Sequence, residues 1–400
     1  MKILLLSFYY SPDLSAGSFR TTALVHALLE QLPEGAEIDL ITTLPNRYQS
    51  FSSEAPEEEA HDCLRIRRVK LPAHQSGMGD QTKAFMAFAK KVLELTRAED
   101  YALVYGTSSR LMTAALSAYV ARKKSARLYL DIRDIFVDTI KDVLPKKAAL
   151  AAKPVFSGLE RWTMNRADKI NLVSAGFADY FQQRYPGKEL SFFTNGIDDV
   201  FIAAGKEIHE GEPQRGAALQ EPVTVLYAGN MGEGQGLHAI IPELANRLDG
   251  KVKFRLVGDG GRRARLEQRL AEFECRNVEV VPPVKREQLL VEYRNADILF
   301  LHLNDYDAFR KVLPSKLFEY AALGKPVWAG VAGYAAEFVQ AEIGNAAVFD
   351  PCDVEAAVQS FDTLKLENVQ RTGFIEKYAR DNIMRTMAED VLSLLRDRRH

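Results

Sequence analysis

The segment Lys311–Gly330, KVLPSKLFEYAALGKPVWAG, sets Lys316 and Glu319 at the start of a predicted helix. Pro314 precedes that helix, and Ser315 stands where an N-cap would. Leu317, Phe318 and Ala321 recur at helical spacing and read as its core face. A glutamate there can accept two hydrogen bonds from a vicinal diol such as a ribose. Lys316, Lys311 and Arg310 can offset the charge of a diphosphate. A surface helix with solvated charges would carry the same residues.

Three glycine-bearing turns carry related chemistry. In AGNMGEGQGL, Gly229, Gly232, Gly234 and Gly236 fall within eight residues, and a helix begins near Gln235. Backbone can approach an anion closely at such a turn, and the helix N-terminus favours negative charge. The Lys-Ser/Thr ending of a P-loop is missing, which disfavours NTP hydrolysis. VGDGG, with Gly258, Asp259 and Gly260, follows the next strand and belongs at the same sheet edge. SPDLSAGSFR follows the first strand. Gly17 marks a helix start there, with Ser15 and Ser18 as capping candidates. It lacks G-x-G-x-x-G, and an ordinary strand–helix loop also accounts for it. Asp131, Arg133 and Asp134 end a further strand, as an ion-pair cluster or as groups for an anion.

Alternating elements must position these residues. Strands are predicted at Lys2–Phe8, Glu37–Thr43, Leu64–Lys70, Tyr101–Gly106, Arg127–Ile132 and Lys169–Ser174, with helices starting near Ala16, Asp80, Ser109 and Phe156. Runs such as ILLL and INLV suit strands covered on both faces of a parallel sheet. The pattern lapses over Ile202–Pro222, read as a linker. It restarts at Val223–Ala228, Lys253–Val257, Val278–Val281, Asp297–Leu301 and Pro326–Ala329, and an amphipathic helix is predicted over Asp381–Arg396. The expected organisation is an N-terminal domain 1–204, a linker 205–221, a C-terminal domain 222–380 and a terminal helix 381–400 returning to the first domain.

Composition narrows the classes. The chain has 400 residues, 47% of them hydrophobic and 26% charged, with 52 Lys and Arg against 54 Asp and Glu for a net charge of −2. A nucleic-acid binder would be strongly basic. Cys63, Cys275 and Cys352 form neither a metal pattern nor a disulfide framework, which fits a reducing compartment. MKILLLSFYYSPD reads as a buried first strand rather than a leader peptide, and the Tyr320–Val339 stretch is too punctuated to span a membrane. Between Lys141 and Lys169, Lys141, Lys146, Lys147, Lys153, Arg161, Arg166 and Lys169 outnumber acids, and Leu144, Val155, Phe156 and Trp162 are interspersed. Such a surface suits anionic lipid or plain solvation.

The motifs SFYYSPDLSAGSFR, DIRDIF, NLVSAGFADYF, FTNGIDDVF, LYAGNMGEGQGL, VGDGGRRARLE and PSKLFEYAALGKPV together resemble the GT-B glycosyltransferases of family 4. HQSGMGDQTKAF and SSRLMT are similar to the branch that builds bacterial O-antigen and capsule, including fucosamine transferases. The resemblance implies an α/β GT-B fold: two Rossmann-like, doubly wound parallel-sheet domains facing across a cleft. It implies a retaining transferase that moves a sugar from a nucleotide-sugar, UDP-sugar favoured, to a growing glycan on a polyprenyl diphosphate. The alternatives are an epimerase acting on UDP-GlcNAc in a similar fold, or a non-catalytic sugar-binding protein.

Residue by residue, the family's two glutamates fall at positions 311 and 319; Glu319 matches the second, and Lys311 replaces the first. The family's phosphate-binding Arg and Lys fall at Asn230 and Gln235, so both cations are missing. Its His-Asp pair falls at Arg133–Asp134. Catalytic roles are therefore expected for Lys316, Arg133 and Asp134. Donor contacts are expected for Gly17, Asn230, Gly232, Gln235, Gly236, Gly258, Asp259, Gly260, Lys311, Leu317 and Glu319. Acceptor contacts are expected for Ser18, His74, Ser109 and Arg110. No metal and no cofactor beyond the nucleotide-sugar substrate is expected, nor any nucleic acid. The expected location is cytoplasmic, at the inner face of the plasma membrane, where stretch 141–169 would rest.

Overall fold

The computed structural model describes residues 1–13, 15–45, 55–72, 78–108, 111–137, 146–211 and 222–396. The chain divides into two compact units, Met1–Asn195 with Asp381–His400, and Gly196–Arg380.

The first unit runs β1 (Lys2–Leu6), α1 (Ala16–Gln31), β2 (Glu37–Thr43), β3 (Glu58–His61), β4 (Leu64–Val69), α2 (Met78–Leu95), β5 (Leu103–Thr107), α3 (Leu111–Lys124), β6 (Arg127–Ile132), α4 (Lys146–Arg166), β7 (Lys169–Leu172), α5 (Ala178–Arg184) and β8 (Glu189–Ser191). Its eight strands lie in the order β3-β4-β2-β1-β5-β6-β7-β8. Only the β3–β4 pair is antiparallel among the described pairings. Ile3 to Leu6 of β1 are fully buried, as a central parallel strand covered on both faces requires. Ser15 caps α1, its hydroxyl accepting from the Ser18 amide at 3.1 Å.

The second unit runs α6 (Asp199–Gly211), β9 (Val223–Asn230), α7 (Leu237–Arg247), β10 (Val252–Asp259), α8 (Arg263–Glu272), β11 (Val278–Val281), α9 (Arg286–Asn295), β12 (Ile298–His302), α10 (Lys316–Leu323), β13 (Val327–Gly330), α11 (Tyr334–Glu342), β14 (Ala346–Phe349), α12 (Val354–Phe361) and α13 (Thr372–Tyr378); α14 (Arg380–Arg396) closes the chain. The order is β11-β10-β9-β12-β13-β14, all parallel. Two apolar clusters cover this sheet: one gathers Phe254, Phe300, Trp328 and Phe349, the other Phe318, Phe338, Tyr293 and Phe374. Strand order reverses between β9 and β12 here, and between β1 and β5 in the first unit. In open α/β sheets ligands bind beyond the strand carboxyl ends at such reversals.

Three short strands escape the sequence pattern: β3, β8 and β14. β3 and β8 end the first sheet and β14 ends the second, so pairing on one side, rather than a long apolar run, holds each. The linker reading of 205–221 also fails over its first part. Residues 205–211 belong to α6, whose Phe201, Ala204 and Ile208 are buried in the same cluster as Leu317 and Phe318 of α10. Gly205 is needed for that packing, because a Cβ there would lie 2.2 Å from the Ala322 carbonyl oxygen. Three apolar residues at helical spacing are masked by the polar ones between them. Residues 212–221 lie outside the described residues. The compact units change over at Asn195–Gly196 and again at Arg380–Asp381.

Residues of α14 group with the first unit. Met384, Met387, Ala388 and Val391 form its buried face. Asp390 accepts from Tyr129 at 2.9 Å and Ser191 at 2.6 Å, and pairs with Lys169 at 2.6 Å.

Candidate functional site

In the second unit β9 and β10 run side by side to their carboxyl ends, with Gly229 opposite Gly258 and Asn230 opposite Asp259. The two glycines must lack Cβ atoms: one at Gly258 would sit 1.8 Å from the Gly229 carbonyl oxygen. Beyond them the chain makes a short 3-10 turn, Glu233–Gln235, and enters α7 through Gly236 in the left-handed region, φ +59°. A side chain is strained there, and a Cβ would also crowd Asn304 at 3.1 Å. The Ala239 amide closes this entry by donating to the Gly236 carbonyl at 2.9 Å, and the positive end of the helix dipole makes this terminus of α7 favourable for an anion.

Asn230 and Gln235 bond to each other, Nδ2 to Oε1 at 2.8 Å, and Gln235 Oε1 also accepts from the Gly232 amide at 3.2 Å. The loop is therefore braced by a neutral amide pair rather than armed with cations. Asp259 turns inward on its own turn, accepting from the Gly260 amide at 2.8 Å. Glu233 accepts from Tyr306 at 2.7 Å and pairs with Arg262, and these partners hold its carboxyl below its ordinary value.

A second cation reaches this strand end from α10. A Cβ built on Gly229 would lie 2.5 Å from Lys316 Cε and 3.1 Å from its Nζ, so the half-buried lysine lies along the bare backbone of the glycine. Glu319, three residues on, is half-buried too, with the Tyr293 hydroxyl 3.4 Å from Oε2. Leu317 departs from expectation. Its side chain is fully buried in the core and its amide donates to the Pro314 carbonyl at 3.1 Å. Ser315 occupies the N-cap position, but its hydroxyl makes no cap bond. Lys311 ends a 3-10 turn, Asp307–Lys311, and Arg310 pairs with Asp305 at 3.0 Å.

In the first unit Gly17 and Arg133 meet. A Cβ on Gly17 would lie 3.0 Å from Arg133 NH1, and among the described residues that buried nitrogen has no hydrogen-bond acceptor. Asp131 does not supply one, because it belongs to Arg20. Arg20 Nε and NH2 hold the two Asp131 oxygens at 2.9 Å each, and Asn171 and Tyr105 donate at 2.7 and 3.0 Å. Burial pushes the Asp131 carboxyl up, but Arg20 more than offsets it and the group sits below its ordinary value. Burial lowers Arg133, which stays charged as guanidinium does. Desolvation pushes the Asp134 carboxyl up to about 6, with Arg133 opposing the rise. Ser18 is 1% exposed, so the hydroxyl expected to meet an acceptor is enclosed in the fold. His74, Ser109 and Arg110 lie outside the described residues.

The profile described as "Glycosyl transferase 4-like domain" matches residues 20–196, and that described as "Glycosyl transferases group 1" matches residues 210–381. The chain belongs to the GT-B glycosyltransferases of family 4. A relative from Escherichia coli K12, WcaI, named for glycosyl transfer in colanic acid biosynthesis, is 25% identical over 98% of this chain and 100% of its own. Trehalose 6-phosphate synthase of Burkholderia multivorans shares the fold with a TM-score of 0.69 at 13% identity, covering 99% of this chain and 97% of its own. HepE of Anabaena, solved with UDP-glucose, shares it at 0.64 and 15%, covering 98% and 99%.

Two features of this glycosyltransferase escaped sequence reasoning. Arg20 and Asp131 are 111 positions apart, and no local pattern marks them as partners. In the basic stretch, Lys141 and the side chains of Lys146 and Lys147 lie outside what the structure describes, and two of the remaining cations are engaged in the fold. Lys169 is 8% exposed and paired with Glu189 and Asp390, and Arg166 donates to the Ala126 carbonyl at 3.1 Å. Lys153, Val155 and Arg161 remain exposed on α4, and Val155 at 69% is an unusual place for an aliphatic side chain. Among the described residues no helix is long and apolar enough to cross a membrane.

Proposed function

We propose that this glycosyltransferase binds a nucleotide-sugar, UDP-linked by preference, on its second unit. It passes the sugar with retention to a glycan acceptor on a polyprenyl diphosphate. The observation that carries the reading is the Lys316 side chain lying along the Gly229 turn, three residues before Glu319. A departing diphosphate gains negative charge as the glycosidic bond breaks, and preorganised cations and helix amides answer that charge. The loop's own amide pair is neutral, so Lys316 and the N-terminus of α7 take this part, without a metal. Glu319 accepts from the ribose hydroxyls. The acceptor hydroxyl attacks from the face the diphosphate leaves.

In the first unit, the Arg133 N–H, without an acceptor among the described residues, and the bare backbone of Gly17 suit a phosphate oxygen at the start of α1. Asp134, raised towards neutrality, suits proton transfer. The exposed Lys153, Val155 and Arg161 of α4, a helix whose sequence opens Lys146–Lys147, suit reversible docking on anionic lipid at the cytoplasmic membrane face. The name of WcaI, a protein of colanic acid biosynthesis, supports a surface-glycan product. HepE, solved with UDP-glucose, supports the UDP donor.

Steady-state kinetics of Lys316→Ala test the reading. An interaction that strengthens in the transition state shows in kcat more than in donor KM, with a fall of roughly 10²–10³-fold. Near-normal kcat in a folded variant would remove Lys316 from the leaving-group site.

A further inference from the structure

We infer that His302 and Asn304, at the end of β12, are positioning residues that set the 232–236 loop for the donor diphosphate. The inference rests on the donor reading above. Three consecutive loop carbonyls are pinned from this one strand end. Glu233 O accepts from Asn304 Nδ2 at 3.0 Å, Gly234 O from the Asn304 amide at 2.8 Å, and Gln235 O from His302 Nδ1 at 2.7 Å. A peptide's N–H points opposite its C=O. Fixing three carbonyls fixes the path of the turn, whose Gln235 and Gly236 amides donate to the Gly232 and Glu233 carbonyls at 3.3 and 3.2 Å, and it fixes the angle at which the chain enters α7 and aims its N-terminus.

The imidazole is itself tightly specified. The Cys352 amide donates to Nε2 at 3.0 Å, so Nε2 carries no proton and Nδ1 must be the donor to the loop. The ring is fully buried, stacked on Phe300 at an interplanar angle of 4°, and Gly330 opposite it on β13 leaves the room it needs. A Cβ on Gly330 would lie 2.3 Å from His302 Cδ2. A neutral, single-tautomer histidine with both nitrogens engaged holds the loop in one geometry. It does so without adding charge to a site whose cation comes from α10.

Hydrogen–deuterium exchange and UDP titration of the full-length protein test this, using His302→Asn and His302→Gln. The Asn amide nitrogen can take the place of Nδ1 and keep the bond to Gln235. The Gln amide reaches instead towards the Cys352 amide and leaves the Gln235 carbonyl unpaired. We expect His302→Asn to keep loop protection and UDP affinity within about threefold. His302→Gln should speed exchange across 232–237 and weaken UDP by about tenfold, the effect of one lost hydrogen bond to a buried group, while β12 stays protected. A side chain that merely filled core volume would give the reverse order, since Asn leaves the larger cavity. That order, or equal UDP affinity in both variants, overturns the proposal. Should His302→Gln fail to fold, Gly330→Ala displaces the ring without removing it and is expected to loosen the same loop. If Gly330→Ala leaves loop exchange and UDP affinity unchanged, the proposal falls. If UDP does not slow exchange of the loop in the wild type, the donor reading itself fails and the positioning role falls with it. If UDP protects the loop in wild type and His302→Gln alike, only the positioning role is lost.

Discussion

Arg20 illustrates how much a single buried residue holds in the first unit. Its guanidinium binds Asp131 with two bonds, and the carbonyls of Phe193 and Thr194 at 2.8 and 2.6 Å. Removing one member of a buried ion pair leaves the other charged and unpaired, which costs about 3–5 kcal/mol. Arg20→Ala is therefore expected to lower urea stability by about that amount; a loss under 1 kcal/mol would mean that Asp131 finds another partner. His302 makes a pH-dependent contribution. Burial pushes its imidazole down to about 4, with the Gln235 carbonyl opposing and His238 assisting. The unfolded chain takes up the proton first, so stability from this group is complete above pH 6.5 and is lost as pH falls towards 4. The loss is up to about 3 kcal/mol. The stability gap between wild type and His302→Asn, measured by urea at pH 7 and pH 4.5, is expected to narrow at the lower pH; a constant gap would contradict the neutral tautomer. Neither residue was legible in the sequence. Arg20 stands in a motif read for its glycine, and His302 is one apolar-strand position among several. Their partners are set by strand order, which local spacing does not encode. The glycines and Lys316 were legible, because a strand–turn–helix needs glycine at the close approach and a lysine at the next helix start can return to it.

At the scale of elements, long buried strands announced themselves as apolar runs, and β2, β6 and β11 have the bounds expected from sequence. β3 (EEAH) and β8 (ELS) hold one apolar residue each, so no apolar run marks them, and β14 (AAVF) is a four-residue strand at a sheet edge. Helix α4 begins at Lys146, ten residues before the expected start at Phe156, and continues through Pro154. Proline there removes one backbone donor and reads locally as a break. The exposed basic and apolar residues of this helix give a direct test. Each lysine near an anionic surface contributes about 1 kcal/mol, and the attraction fades within roughly 8 Å at physiological salt. The protein is expected to co-sediment with phosphatidylserine-containing vesicles at low salt and to be released at high salt. Changing Lys146, Lys147 and Lys153 to Glu should abolish sedimentation and leave the thermal melt unchanged. Retained sedimentation would reduce the face to a solvated one.

At the scale of the whole molecule, two sheets of the same winding each bring a glycine turn, a helix N-terminus and a cation to a strand-order reversal. These are Gly17, α1 and Arg133 in the first unit, and Gly229–Gly236, α7 and Lys316 in the second. Strand–helix alternation made this doubling legible. The unit boundaries were less so, because α6 carries a linker-like composition over a buried apolar stripe. The account stands or falls on the stereochemistry of transfer. The enzyme would be given UDP-α-linked glucose, galactose, N-acetylglucosamine or N-acetylgalactosamine with a short-prenyl diphosphate saccharide. UDP release and the new anomeric linkage would be followed by NMR. The account predicts acceptor-dependent UDP release and an α-linked product from at least one donor. A β-linked product, or interconversion of free UDP-sugars without acceptor, would contradict it.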